Sequence, residues 1–596
     1  MFEIDNLTIV LLTVLTSLLV YIRFFARPSP LVHPLLLGKQ SDVSSVRKQG
    51  ESGVYRSWAT GQGSPLQVRP ANSLKTVHDI VQVKGNGEAE RCILDVTLTE
   101  EALSEILLLL PHGLRALFPH HLSTSPTSPT PILTLLPPSP VTALPLLLLA
   151  LSVPPSLPLI VLPHPKLLNT ALAKTSAHPQ PGIVVVHVGL LDDIIEQVWE
   201  DCEDKVGVVV VGDEKKEKIA LIEEARRRGM NVRWWEEIWA AAEKDVKNSL
   251  PGAVTSSLMA NVADGTLADP HFQDVHSYFY VQPESSEGQA GVVKLTHLNI
   301  TAGIAATLSL FPADKRPSDA AKDVVGSAVR LDSPFGMTLA LATIWSGAGF
   351  RMFGSPTPDW DEDLRLREEE LEAFVANKDH PKPTILFLTP QHHSAMISVL
   401  HQKSLSVPFG ELAIRHKLPS IKAGHVSRDT LSDKYVWTGL RSSVLGGLVG
   451  DRLRAVIVVG RGGLIRLRWI RNPSLTRDPD TPSMSLLSLS HLLLSLPVTR
   501  LFPSPYSASP IFVSHFYDLQ SPLEDVKSHT GPPATNTEVL LKGPGTEKGQ
   551  EIEGRIWIRG PGVLERVPPV EGGVVEGWTD VEVDAKVQTN GTFIVR

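Results

Sequence analysis

The sequence predicts an α/β protein with two parallel-sheet subdomains, a β-rich C-terminal part and one N-terminal transmembrane helix. Three observations carry this expectation. Short β-branched runs such as Ile183–Val188 and Val206–Val211 alternate with amphipathic helical segments, as strands buried on both faces of a parallel sheet do. Residues 501–596 hold closely spaced strand and turn segments, among them Gly554–Pro561 and Gly591–Val595. The stretch from Leu7 to Phe25 is apolar and interrupted only by Arg23.

The N-terminal stretch approaches the ~20 residues that cross a bilayer, with Arg23 able to reach the headgroups. Glu3 and Asp5 precede it and no small-x-small cleavage site follows, which favours an anchor over a secretory signal. Arg23, Arg27, Lys39, Arg47 and Lys48 all lie after it. The positive-inside rule then gives a single-pass protein whose body faces the cytosol, on the endoplasmic reticulum or a related membrane. The expected partner of Leu7–Phe25 is the lipid bilayer.

With 596 residues the chain exceeds one ordinary domain. Residues 1–27 are expected to form the anchor and 28–70 a Pro/Gly/Ser-rich linker. Residues 71–280 are expected as a first α/β subdomain, 281–500 as a second, and 501–596 as the β-rich subdomain. The composition is 42% hydrophobic and 20% charged, with net charge −8. No long basic run is present, so nucleic acid is excluded as a partner. Cys92 and Cys202 are the only cysteines, and no Cys/His spacing suggests a metal site.

Between Leu107 and Pro163 the chain is dense in Leu and Pro. Leu144–Leu162 is apolar enough for a second span, but Pro154, Pro155 and Pro158 would break such a helix, so short buried strands and helices are expected. The prolines from Pro126 to Pro140 favour a loop. Asp213–Arg228 is an amphipathic helix stopped by Gly229, and Glu236–Lys247 is a further helix. Pro383–Leu388 and Ala455–Val459 are expected strands. Residues 471–484 are a polar linker, and the acidic run Asp359–Glu372 is a solvated helix face. The pairs His120-His121 and His392-His393 are surface or core histidines.

Val281–Ile300, VQPESSEGQAGVVKLTHLNI, places a Ser/Gly-rich loop between a strand and a helix, where backbone N–H groups and the helix dipole favour an anion. Its continuation KLTHLNITAGIAA resembles the segment after the phosphate loop of the AMP-forming acyl-adenylate superfamily. Later segments are similar to that family in the same order: SPFGMTLALATIWSGAGF within Asp323–Phe350, PTILFLTP at Pro383–Pro390, GDRLRAVIVVG at Gly450–Gly460, the strand pair within Gly531–Gly562, and GWTDVEVDAKVQTNGTFIV at Gly577–Val595. Together they span roughly residues 180 to 596. The resemblance is to the large N-terminal domain of a long-chain acyl-CoA synthetase, divergent and without the small C-terminal domain.

The resemblance implies an ATP- and Mg²⁺-dependent fatty acid–CoA ligase, with CoA as co-substrate and a fatty acid or acyl ligand, proceeding through acyl-AMP. It implies nucleotide-binding roles for Ser285, Ser286, Gly288, Lys294, Tyr506, Ser509 and Asp584. Asp580 is an alternative to Asp584 as the ribose carboxylate. Gly460-Arg461-Gly462-Gly463 resembles an anion-binding turn and corresponds to the family's glycine-rich turn lining the acyl and adenine pocket, with an ordinary tight turn as the equal alternative. No catalytic residue is named.

Several positions depart from the family pattern. The phosphate loop becomes Glu284-Ser285-Ser286-Glu287-Gly288-Gln289-Ala290-Gly291-Val292, and its lysine falls on Gly291. Lys294 is offset by three residues. Tyr506-Ser507-Ala508-Ser509-Pro510 stands where the family has Tyr-Gly-x-Thr-Glu, so Pro510 replaces the Mg²⁺ carboxylate. The alternative expectation is an inactive acyl- or nucleotide-binding or scaffold protein that keeps the AMP-binding fold.

Overall fold

The computed structural model describes residues 5–21, 29–81, 90–122, 129–154, 157–173, 176–195, 206–212, 216–249, 271–281, 290–354, 381–430, 432–446, 452–460, 486–520, 528–543, 552–568 and 574–596. Three sheets organise them.

The first sheet has eight strands, in the order 565–567, 291–296, 275–281, 159–161, 132–135, 183–187, 207–211 and 232–234. From 275–281 to the 232–234 edge every pairing is parallel, while 291–296 and 565–567 add antiparallel strands at the other edge. The Val-rich runs form central strands because both faces are covered. The packing of strand Ile183–His187 makes this explicit: Ile183 and Val185 enter one apolar core, Val184 and Val186 another.

The second sheet is also eight-stranded, in the order 512–513, 498–502, 455–459, 385–388, 324–327, 349–352, 90–93 and 96–99. The five pairings from 498–502 to 90–93 are parallel. Ile385 and Phe387 enter the core shared with the first sheet, whereas Leu386 and Leu388 face a separate core under an outer helical layer. Helices Pro140–Ser152, His297–Leu308 and Pro334–Trp345 lie in the shared core and are buried on nearly all sides. The third sheet is antiparallel and gathers 41–43, 55–57, 538–542, 553–559, 578–587, 574–575 and 593–595.

The structure leaves one expectation, the membrane anchor, without support and corrects several others. The described part of the Leu7–Phe25 span is a 15-residue helix, Asn6–Val20, with no buried residue. It is about 22 Å long at 1.5 Å per residue, short of a ~30 Å hydrocarbon core. No helix among the described residues is long and apolar enough to cross a membrane; residues 22–28 lie outside them.

The expected linker 28–70 contributes strands Ser41–Val43 and Tyr55–Ser57 to the third sheet, where Tyr55 packs edge-on to Phe593. The expected loop between Pro126 and Pro140 contains the buried strand Ile132–Leu135, because the prolines flank the apolar run rather than interrupt it. Leu144–Leu162 is divided between a buried helix and the strand Leu159–Val161. Residues 90–99 join the second sheet and 565–567 the first, so chain order and sheet membership diverge at both places. The acidic run at 359–372, the linker at 471–484 and Cys202 lie outside the described residues; Cys92 is a buried free thiol.

Candidate functional site

In doubly wound sheets ligands bind beyond the carboxyl ends of the parallel strands. Strand Val498–Phe502 delivers the chain at such an end to the segment 504–510. Three backbone bonds fix this segment: Leu564 N–H donates to the Tyr506 carbonyl (3.0 Å), Ala508 N–H to the Gly562 carbonyl (2.9 Å), and Ile511 N–H to the Phe502 carbonyl (2.8 Å). Two glycines permit the approach. A Cβ at Gly303 would lie 2.7 Å from the Ala508 carbonyl oxygen, and one at Gly562 would lie 2.0 Å from Ser509 Oγ.

Asn299, within the KLTHLNI run, holds the same corner. Its side chain and Thr296 form a capping box at the start of helix His297–Leu308, a reciprocal satisfaction of free N–H groups. Its Nδ2 also donates to the carbonyls of Pro561 (2.9 Å) and Val563 (3.1 Å). The helix N-terminus is thereby tied to the 561–563 turn, which in turn bonds the segment that carries Tyr506.

Tyr506 is buried, and the Arg566 guanidinium lies over its ring, 3.6 Å from the centroid. Arg566 donates to Glu582 Oε1 (2.8 Å) and to the Asp580 carbonyl. Burial pushes the Tyr506 hydroxyl up to about 12, against the lowering effect of Arg566 and with further raising by Glu582. Glu582 sits at φ +66°, with its N–H bonded to Asp580 Oδ1 (2.8 Å). Asp580 also pairs with Arg555 (2.8 Å). The ring face is thus covered by a cation locked by its own carboxylate.

The other sequence candidates separate. Lys294 is opposite Glu565 and Tyr278 in the sheet, whereas Val293 is opposite Arg566 and Phe279. Because side chains alternate along a strand, Lys294 emerges on the face away from Tyr506. There it pairs with Glu565 at 3.2 Å. Ser509 is fully buried and accepts a hydrogen bond from Asn536 Nδ2 (3.2 Å), so its hydroxyl holds the fold together.

Asp584 is exposed and sits opposite Arg555. The carboxylates next to Tyr506 are Glu582 and Asp580, so the expected ribose role of Asp584 has no support in its position. Ser285, Ser286 and Gly288 lie outside the described residues, as do 461–463. His392 and His393 are buried, His392 bonded to Thr389 and His393 to Ser490.

The residues present do not fit a Mg²⁺ ion at the expected position. Pro510 offers only a carbonyl, which accepts from Thr537 Oγ1 (3.4 Å). Among the described residues no group of three or more His, Cys, Asp or Glu side chains is placed to hold a metal. Sequence reasoning missed Arg566 and Glu582. Glu582 stands two residues before Asp584 in the same run, but the turn at φ +66° shifts which carboxylate faces inward. Nothing local marks Arg566.

No family model and no curated protein matches the chain. Solved structures do. The N-terminal domain of FACL13 from Mycobacterium tuberculosis aligns over 87% of this chain and 99% of its own, with TM-score 0.52 and 10% identity. A luciferase-like enzyme from the mealworm Zophobas morio aligns over 88% and 96%, with TM-score 0.53 and 10% identity. The anthranilate CoA ligase AuaEII, solved with anthranoyl-AMP, aligns over 89% and 78%, with TM-score 0.51 and 11% identity. At such identities the likeness establishes the fold: that of the large domain of adenylate-forming enzymes.

Proposed function

We propose that this chain, which shares the fold of the adenylate-forming enzymes, binds an acyl or nucleotide ligand at a membrane without carrying out ATP-dependent ligation. One observation carries the reading: Arg566, locked by Glu582, covers the face of Tyr506. Gly291 and Pro510 support it, because neither supplies the charge that pyrophosphate departure and Mg²⁺ require. Losing one well-placed donor from a site of this kind costs roughly 3–4 kcal/mol of transition-state stabilisation. The acyl class of ligand rests on the anthranoyl-AMP held by one structure of the same fold.

The test is fatty-acid-dependent exchange of pyrophosphate into ATP by the full chain. No exchange above background is expected. Exchange at ordinary synthetase rates would restore the second reading, a long-chain fatty acid–CoA ligase, the class named for a Rhodopseudomonas palustris structure of the same fold.

The membrane location rests on helix Asn6–Val20. Leu7, Ile9, Val10, Leu11, Leu12, Val14 and Leu15 are all more than half exposed. A helix apolar all round belongs in a core or in lipid, and it has no core here. Inserted with residues beyond Arg27 in the cytosol, it leaves the body open to protease added to sealed microsomes. Full protection of the body would reverse this orientation.

A further inference from the structure

We propose that the outer helical layer of the second sheet, centred on Phe409, is a second membrane-contact surface that rests against anionic lipid. The proposal builds on the membrane reading above but concerns a different surface.

The layer comprises helices Pro390–Ser406, Gly410–Lys422, Thr438–Leu445 and Leu486–Leu494 and the π-turn Asp433–Trp437. Ala413 and Ile421 point inward to the core, as do Met396, Ile397 and Leu400. The outward residues include large apolar side chains: Phe409 is 75% exposed, Leu412 63% and Tyr435 82%. Leu405, on the last turn before Phe409, is exposed as well.

The corner at Phe409 is built to present that side chain. The chain reverses so tightly that a Cβ on Gly410 would lie 1.9 Å from the Ser404 carbonyl oxygen. Phe409 itself takes φ +64°, a left-handed conformation unfavourable for an aromatic residue. A strained backbone holding an aromatic ring in solvent points to use of the ring.

Charge and attachment identify the occupant as lipid. Apart from the buried, mutually paired Lys417, Asp433 and Arg441, residues 390–446 hold five Lys and Arg against two Asp and Glu, in a chain of net charge −8. Lys403, Arg415, Lys422 and Lys434 are exposed, although Arg415 shares its charge with Glu411 at 2.9 Å. Exposed apolar and basic side chains borne by the same layer match an anionic bilayer surface.

The N-terminal segment of the chain is moored to the same layer. Leu31 N–H donates to the Gly424 carbonyl (2.9 Å), His425 Nδ1 bonds the Ser29 carbonyl (2.9 Å), and Leu31 packs into the layer's core. Tyr21, at the end of the apolar helix, is eight residues from Ser29, a reach of at most about 29 Å. Helix Gly410–Lys422 runs about 20 Å from this mooring to Phe409. A helix inserted in lipid therefore allows the Phe409 corner to meet the same surface.

The experiment is hydrogen exchange of the full chain bound to phosphatidylcholine vesicles with and without phosphatidylserine. Peptides covering 405–415 and 434–436 are expected to exchange about tenfold more slowly on the anionic vesicles. The doubly substituted Phe409→Ser, Leu412→Ser chain, whose changes are confined to exposed side chains, is expected to lose that slowing while remaining vesicle-bound. A second chain, residues 29–596, retains every residue of the packed cores. Its binding to anionic vesicles would uphold this surface even if the N-terminal helix proved not to insert. Binding of the full chain with no slowing at 405–415 would overturn the surface and leave the helix reading intact. Slowing that appears without lipid and grows with protein concentration would assign the patch to a second copy and equally overturn the proposal.

Discussion

The guanidinium of Arg566 lies 3.6 Å above the centroid of the Tyr506 ring, and these two residues meet because Arg566 pairs with Val293 across the sheet edge. The contact closes an aromatic surface with a buried cation whose charge Glu582 balances. A stack of this type contributes roughly 0.5–2 kcal/mol.

Opening that surface is expected to expose a nucleotide-binding face. In the double substitution Arg566→Ala, Glu582→Gln, which removes both buried charges, AMP is expected to bind about tenfold more tightly than to the parent chain, or about 1.4 kcal/mol. Titration calorimetry measures this. Arg566→Ala alone strands Glu582 and is expected to cost about 3 kcal/mol of stability. Unchanged AMP affinity in the double variant would mean that the Tyr506 face is not a nucleotide surface.

Lys294→Ala is expected to alter little. Its partner Glu565 is largely exposed, and such pairs contribute roughly 0–1 kcal/mol. Denaturant unfolding should show a loss within that range, and AMP affinity should stay the same. A large loss of affinity would place Lys294 at the ligand despite the strand alternation.

The buried network Lys417–Asp433–Arg441–Ser495 should show unequal losses. Asp433 accepts from Lys417 Nζ (2.5 Å) and pairs with Arg441 (3.2 Å). Asp433→Ala strands two cations and is expected to cost about 3–5 kcal/mol; Lys417→Met leaves Arg441 on Asp433 and should cost less. Burial pushes Lys417 from its ordinary 10.5 down to about 8. The unfolded chain therefore holds this proton more tightly, so the lysine contributes stability that rises between about pH 8 and 10.5. Lys417→Met should remove that rise; equal losses from the two substitutions would contradict the shared role of Asp433.

Acid should weaken the fold through buried histidines. Burial pushes His276 down to about 4 and, with neighbouring His276 and His78, His297 to about 2. Both folded values lie below the unfolded 6.5, so the unfolded state binds more protons and stability falls as pH drops from about 6.5 toward 4. Each histidine should account for about 2 kcal/mol between pH 7 and 5. His276→Gln is expected to reduce the difference between unfolding midpoints at those two pH values, and an unchanged difference would show that His276 is not the sensor.

The sequence by itself determined the parallel strands, since runs such as Ile183–Val188 are apolar at consecutive positions only where both faces are covered. The family resemblance also singled out Tyr506 and put Pro510 where a carboxylate was expected. Tertiary structure decided the rest. Lys294 and Val293 are adjacent in sequence, yet alternation sends one to Glu565 and the other toward the Tyr506 side. Glu582 rather than Asp584 faces Tyr506 because the strand kinks at a left-handed residue. Arg566 reaches the ring through pairing between segments far apart in the chain, and such register is set by packing across sheets, which no local periodicity encodes.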